Sequence, residues 1–234
     1  MPTIKFMLSG SNLACVRGER PLFSGIDFTV APGEWLHVRG ANGVGKTSLL
    51  RILAGLSQPD HGEVRWGDTP VSPGLPAFRR ELLYLGHQPA VKEDLSAREN
   101  LELACALDGC GMAAGAAASA LRRFGLGGRE DLPVRFLSAG QKRRVLLARL
   151  AARRARLWIL DEPFTALDTR AVEMLGALAG EHLAAGGMVV LTSHQATPLA
   201  EGKVLQLGGA AAARAQTAVR DVIDDGATAA WGRT

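Results

Sequence analysis

Cysteine is scarce in this sequence. Cys15, Cys105 and Cys110 are the only three, and none is spaced from another as metal-binding pairs are. Sparse, unpatterned cysteine points to a reduced compartment. Long apolar runs are missing too: the opening MPTIKFMLSGSN has no signal-peptide core, and no stretch reaches the roughly eighteen apolar residues that a membrane helix needs. The expectation is a cytosolic chain, or one held at a membrane only through a partner. Nor is there a strong excess of one charge. Lys+Arg of 27 against Asp+Glu of 23 gives +4, which suits an anionic ligand without calling for nucleic acid.

What is present is a chain of 234 residues, 47% hydrophobic and 21% charged, enough for one compact domain with a substantial core. The first third is strand-rich: IDFTV (26–30) and EWLHVR (34–39) flank Ala31-Pro32-Gly33, and EVRW (63–66) alternates between Gly62 and Gly67. GANGVGKT then leads into SLLRILAGL, with leucines at helical spacing, a unit of strand, glycine loop and helix. LLYL (82–85) reads as a further strand. From Ser96 to about Arg156 nearly everything reads helical, opening on the capping box Ser96-Ala97-Arg98-Glu99. Strands resume at LWIL (157–160) and MVVLT (188–192). This alternation predicts an α/β fold: a mostly parallel sheet covered on both faces, an N-terminal antiparallel β part and an inserted helical subdomain over about 89–156. Residues 1–208 make one domain. The Ala-rich tail over 209–234 reads as a marginal helix or disorder.

Gly40-Ala41-Asn42-Gly43-Val44-Gly45-Lys46-Thr47, followed by Ser48, is a phosphate loop in its required setting between strand and helix. Its glycines turn backbone N–H groups inward around phosphates, where the helix N-terminus adds favourable potential. Lys46 adds a point charge and Thr47 a hydroxyl for Mg²⁺. LWIL ends in Asp161 and Glu162, adjacent residues that point in different directions. Asp161 would meet Mg²⁺ through water, and Glu162 would act as general base on the attacking water. His194 follows a parallel strand at the edge where α/β sheets collect ligands, a place for a γ-phosphate contact. Gln88, after LLYL, holds a similar strand end, from which its amide can accept from water or coordinate Mg²⁺.

The string LSAGQ (137–141) raises a second question. Ser138 and Gln141 fit a helix capping box, yet the same turn is small, contains Gly140, and is followed by Lys142, Arg143 and Arg144. Helix N-termini bind anions, and the chain's own nucleotide already has Lys46. A second phosphate site would serve another subunit's nucleotide, which predicts a symmetric dimer.

Taken in order over residues 10–207, the phosphate loop, Gln88, LSAGQ, LWILDE, TALD (165–168) and His194 resemble the nucleotide-binding subunit of ATP-binding cassette transporters, with the P-loop NTPase fold. The resemblance implies that Ser138, Ala139, Gly140 and Gln141 form the signature that closes over the partner's ATP, Ala139 standing where the family has glycine, and that Asp168 lies in the loop linking two sites. It implies Arg17 at the adenine-stacking position, usually aromatic. The cofactors implied are ATP and Mg²⁺. Within the family, RPLFSGIDF, GEWLHVRGANGVGKTSLLRILAGL and YLGHQPAVKEDLSARENL are most similar to the branch that powers haem export, or release of a haem-loaded chaperone, in bacterial cytochrome c maturation. That implies a homodimer, peripheral on the cytoplasmic face of the inner membrane, docked to integral membrane subunits through residues 88–100. Neither Cys-x-x-Cys-His nor a haem ligand set occurs, so haem handling falls to the partners. Two alternatives stand: the same ATPase serving another transported substrate, and a non-transport cassette acting on nucleic acid or ribosomes.

Overall fold

The computed structural model describes residues 6–88, 90–109 and 111–208. The tail expected over 209–234, and Cys110, lie outside them.

Two sheets form the framework. β1 (Leu8–Arg17) and β2 (Arg20–Val30) pair antiparallel, β3 (Trp35–Arg39) leaves for the second sheet, and β4 (His61–Trp66) with the two-residue β5 (Thr69–Pro70) returns to the first. The resulting order is β2-β1-β4-β5. β6 (Leu82–Leu85), β7 (Leu157–Leu160), β8 (Met188–Thr192) and β9 (Lys203–Gln206) join β3 in a five-stranded sheet of order β6-β7-β8-β3-β9. Every neighbouring pair in that sheet is parallel.

The composition of the central strands explains their position. All four residues of β7 and all five of β8 are buried, without the polar alternation of a half-exposed strand, because both faces of the sheet are covered. Trp158, Leu160, Val189 and Leu191 point into the helical layer. Leu157, Ile159, Met188 and Val190 point the other way, onto a core shared with the antiparallel sheet. Each such side chain contributes about 1.5–3 kcal/mol by leaving water.

Helices fill the outer layers. α1 (Lys46–Leu53) buries Leu49, Leu50, Ile52 and Leu53 in the core shared by the sheets, and the short α2 (Pro76–Glu81) adds Phe78. The region expected to be helical from Ser96 to about Arg156 divides into α3 (Ala97–Leu107), α4 (Ala116–Arg123), a 3₁₀ turn at Val134–Phe136 and α5 (Ala139–Ala152). The breaks fall at Gly109, Gly115, Gly125 and Gly128, all at positive φ. The capping box at Ser96 forms in both directions: its Oγ accepts from Glu99 N–H at 3.1 Å, and Glu99 Oε2 accepts from Ser96 N–H at 2.7 Å. Asn100 steadies the loop before it, accepting from Lys92 N–H and donating to the carbonyls of Lys92 and Ser96. α6 (Thr169–Ala184) completes the helical face.

Because β6, β7, β8 and β3 run parallel, their C-terminal ends lie along one edge. Residues 40–45, Asp161, Glu162, Ser193, His194 and Gln88 all follow those ends.

Candidate functional site

The turn between β3 and α1 depends on glycine. Gly40 has φ 151°, and a Cβ there would lie 2.6 Å from the Leu207 carbonyl oxygen. Gly45 caps α1 at φ 100°, and neither a capping side chain nor an acidic residue occupies that helix's first turn. Its N–H groups are open to an anion. Lys46 lies back across its own loop, donating to the carbonyls of Gly40 at 2.8 Å and Ala41 at 3.2 Å, with Nζ 3.4 Å from His194 Nε2.

Opposite this loop, Asp161 is 2% exposed and accepts two hydroxyls, Thr47 Oγ1 at 2.8 Å and Thr192 Oγ1 at 2.8 Å. Glu162 stands in the left-handed region at φ 50°, which costs a non-glycine residue on the order of 1–3 kcal/mol. Its N–H donates to Thr192 Oγ1 at 2.9 Å, and its Oε1 lies 3.3 Å from His194 Nε2. Thr192 therefore donates to one acid's side chain and accepts from the next residue's backbone.

These groups enclose a cleft of about 550 Å³ that brings Lys46, Thr47, Ser48, Asp161, Glu162 and His194 together. Asn42, Gly43 and Gly45 also line it. Gln88 does not; His87 takes that place, while Gln88 is exposed one residue further along. Arg17 is exposed at the end of β1 and lines a neighbouring cleft of about 200 Å³, to which Ser48 also belongs. The two clefts thus meet at Ser48.

Residues 137–141 stand apart from both clefts. Ser138 Oγ accepts from Gln141 N–H at 3.2 Å, and Gln141 Oε1 accepts from Ser138 N–H at 2.9 Å, so the capping box is formed. Ser138 and Ala139 are exposed. Neither Ala139 nor Gly140 has positive φ, so alanine is accommodated without strain. Gly140 instead allows a close approach: a Cβ there would lie 3.2 Å from the Ala166 carbonyl oxygen. Asp168 caps α6 by accepting from Ala171 N–H at 2.9 Å, and its other oxygen pairs with Arg144.

Three polar residues at this edge carry no sequence motif. Thr192 and Arg143 contact Asp161 and Glu162 from elsewhere in the chain. His37, 2% exposed on β3, accepts from Arg39 Nε at its Nδ1 across 3.0 Å, leaving Nε2–H to donate to the Ser193 carbonyl at 3.2 Å. Burial, with help from the Arg39 charge, holds His37 below the ordinary histidine range.

A phosphate loop, a hydroxyl facing a carboxylate and a second acid touching a histidine define a nucleotide-hydrolysing cassette. The family model for the ABC transporter matches residues 23–165, and the chain belongs to that family as an ATP-binding cassette ATPase. It is 53% identical over 189 residues to the cytochrome c biogenesis ATP-binding export protein CcmA of Nitrosomonas europaea, covering 81% of this chain and 89% of that one. Identity to the CcmA of Aromatoleum aromaticum is 52% over 195 residues, covering 83% and 91%. Among solved structures, an ATP-binding subunit of an ABC transporter matches with TM-score 0.71 and 27% identity over 80% of this chain and 79% of that one. An ABC transporter ATP-binding protein of Pyrococcus furiosus shares the fold, with TM-score 0.74 at 23% identity over 86% and 97% of the two chains.

Proposed function

We propose that this chain is the ATP-hydrolysing subunit of a transporter complex that powers haem export, or release of a haem-loaded chaperone, in cytochrome c biogenesis. The observation that carries the enzymatic part is the contact of Glu162 with His194 at the cleft that also holds Lys46 and Thr47. The haem assignment is supported by about half identity to proteins bearing the cytochrome c biogenesis export name.

ATP enters with its phosphates at the N-terminus of α1. Lys46 exchanges the carbonyls of Gly40 and Ala41 for phosphate oxygens, a charge-assisted substitution at the same nitrogen. Residues 40–48 present backbone N–H groups, and Arg17, in the adjoining cleft, stacks its guanidinium on the base. Thr47 and Asp161 present hard oxygens 2.8 Å apart, a donor set that fits Mg²⁺ and a nucleotide. Thr47, Asp161 through water, and Gln88 from the loop after β6 would hold Mg²⁺, which would supply neutralisation of the phosphate charge. Glu162 accepts a proton from the attacking water, and His194 holds the γ-phosphate in line.

The second half of the site comes from a second copy. Ser138, Ala139, Gly140 and Gln141 cap the γ-phosphate of the partner's ATP with the exposed N-terminus of α5, and Asp168 links the two sites through Arg144. Two chains sandwich two nucleotides, closing when ATP is bound and opening after hydrolysis. The dimer sits on the cytoplasmic face of the inner membrane, with integral membrane subunits docked at residues 88–100. Val91 and Leu95 there are half-buried among exposed Lys92, Glu93 and Asp94.

A strain lacking its own CcmA, supplied with this chain and its native membrane subunits, tests the reading. Recovery of haem-stained c-type cytochromes is expected with the wild-type chain and not with Glu162→Gln. An ATP-hydrolysing chain that restores none would overturn the haem assignment.

A further inference from the structure

Arg143 is 5% exposed and forms no ion pair among the described residues. Burying a guanidinium is costly unless its donors are met. Here backbone carbonyls meet them: Nη2 donates to Glu162 at 2.7 Å and Asp161 at 3.2 Å, and Nη1 approaches His87 at 3.3 Å and Gly86 at 3.5 Å. Nε is the one buried donor of this side chain left without a partner. The nearby charges of Asp161 and Glu162 partly offset its desolvation.

The carbonyls it holds belong to two active loops. One pair precedes Gln88, and the other belongs to the two acids themselves. Glu162 is the residue in the left-handed conformation, so its backbone needs support on both sides. Thr192 Oγ1 accepts its N–H, and Arg143 binds its C=O. With both flanking peptides held, the side chain is directed to His194. Arg143 itself lies on α5, five residues after Ser138, on the helix whose N-terminus faces outward. One planar fork thus joins α5 to the backbone of Glu162 and to the loop carrying Gln88.

We propose that Arg143 is a positioning residue for Glu162, and that it makes hydrolysis in one subunit depend on how the partner's nucleotide seats α5. The inference rests on the shared-site reading above. Lysine keeps the charge but loses the fork, and cannot span four carbonyls.

The test compares Arg143→Lys with wild type in ATP affinity, in ATP-driven dimerisation on a Glu162→Gln background, and in kcat. The expected result is a kcat lowered by about tenfold or more, equivalent to about 1.4 kcal/mol, with ATP affinity and dimerisation within about twofold. A kcat within twofold of wild type overturns the proposal. So does a parallel loss of affinity and dimerisation, which marks general damage to the fold. Should Arg143→Lys not fold, Thr192→Val, which removes the hydroxyl that holds the other side of the same peptide and also Asp161, is compared with Thr192→Ser, which keeps it: Ser is expected to retain kcat and Val to lose it with ATP affinity kept, and equal kcat in the two overturns the two-sided support of Glu162. Normal turnover by Glu162→Gln alone would instead sink the underlying assignment of the base.

Discussion

Thr47 Oγ1 donates to Asp161 Oδ2 across 2.8 Å, joining the first turn of α1 to the end of β7 over 114 residues of chain. Among the described residues neither oxygen forms an ion pair, and Asp161 is additionally held by Thr192. Chelation with EDTA is expected to abolish ATP hydrolysis and Mg²⁺ to restore it, whereas Asp161→Asn is expected to stay inactive at any Mg²⁺ concentration. Steady-state phosphate release checks this. Asp161→Ala should also destabilise the fold by about 1–3 kcal/mol, since it leaves the buried Thr192 hydroxyl without its acceptor, readable from urea unfolding.

Glu162 and His194 touch at 3.3 Å. Loss of the base without loss of the phosphate site separates binding from chemistry. Glu162→Gln is expected to bind ATP normally, accumulate as a dimer on a sizing column, and hydrolyse about 10²–10⁴-fold more slowly. Normal turnover would remove Glu162 from the role of base.

Lys46 has no carboxylate partner among the described residues and bonds only carbonyls of its own loop besides its approach to His194. Removing it therefore costs the fold little and costs phosphate binding a charge-assisted contact. Lys46→Ala is expected to retain its unfolding midpoint and lose ATP affinity, measured by titration calorimetry.

His37 and His182 are both held below the ordinary histidine range chiefly by burial, against carbonyls of Ser193 for the first and of Met188 and Arg156 for the second. Arg39 and Glu162 are the charged groups that act on His37, in opposite directions. The sign follows: below about pH 6.5 the unfolded chain binds more protons than the folded one, so stability is full above that pH and falls as pH drops toward the folded values. Urea midpoints are expected to decline from pH 7.5 to pH 5.5, and the slope to flatten in His182→Gln, whose ring stacks on Trp158 at 3.8 Å. An unchanged slope would place the proton uptake elsewhere.

The parts of the site carried by contiguous residues were legible in the sequence, because the glycine loop and the acids after LWIL need only their own neighbours to take shape. Thr192 and Arg143 were not. Their partners lie 30 and 19 residues away, and nothing in MVVLTS or QKRRV marks a hydroxyl or guanidinium as turned toward Glu162. Gln88 was read correctly as a strand-end residue, but it stands outside the cleft and His87 inside, a one-residue rotation that spacing cannot specify. In the fold, β1 went unread as a strand because register shifts after Gly10 and Leu13 destroy its alternation, and β9 because exposed Lys203, Val204 and Gln206 lack the apolar run of its neighbours. LSAGQ proved to be a capping box in full, with Ser138 and Ala139 exposed.

Mixing two inactive variants tests the shared sites most directly. Lys46→Ala lacks the phosphate loop but keeps residues 137–141, and Ser138→Arg lacks the signature but keeps the loop. Each alone is expected to hydrolyse almost no ATP, Ser138→Arg while folding and binding ATP as a monomer. In a mixed dimer one composite site is whole, so the account predicts that combining them restores hydrolysis. A mixture as inactive as its parts, or full activity from Ser138→Arg alone, would contradict it.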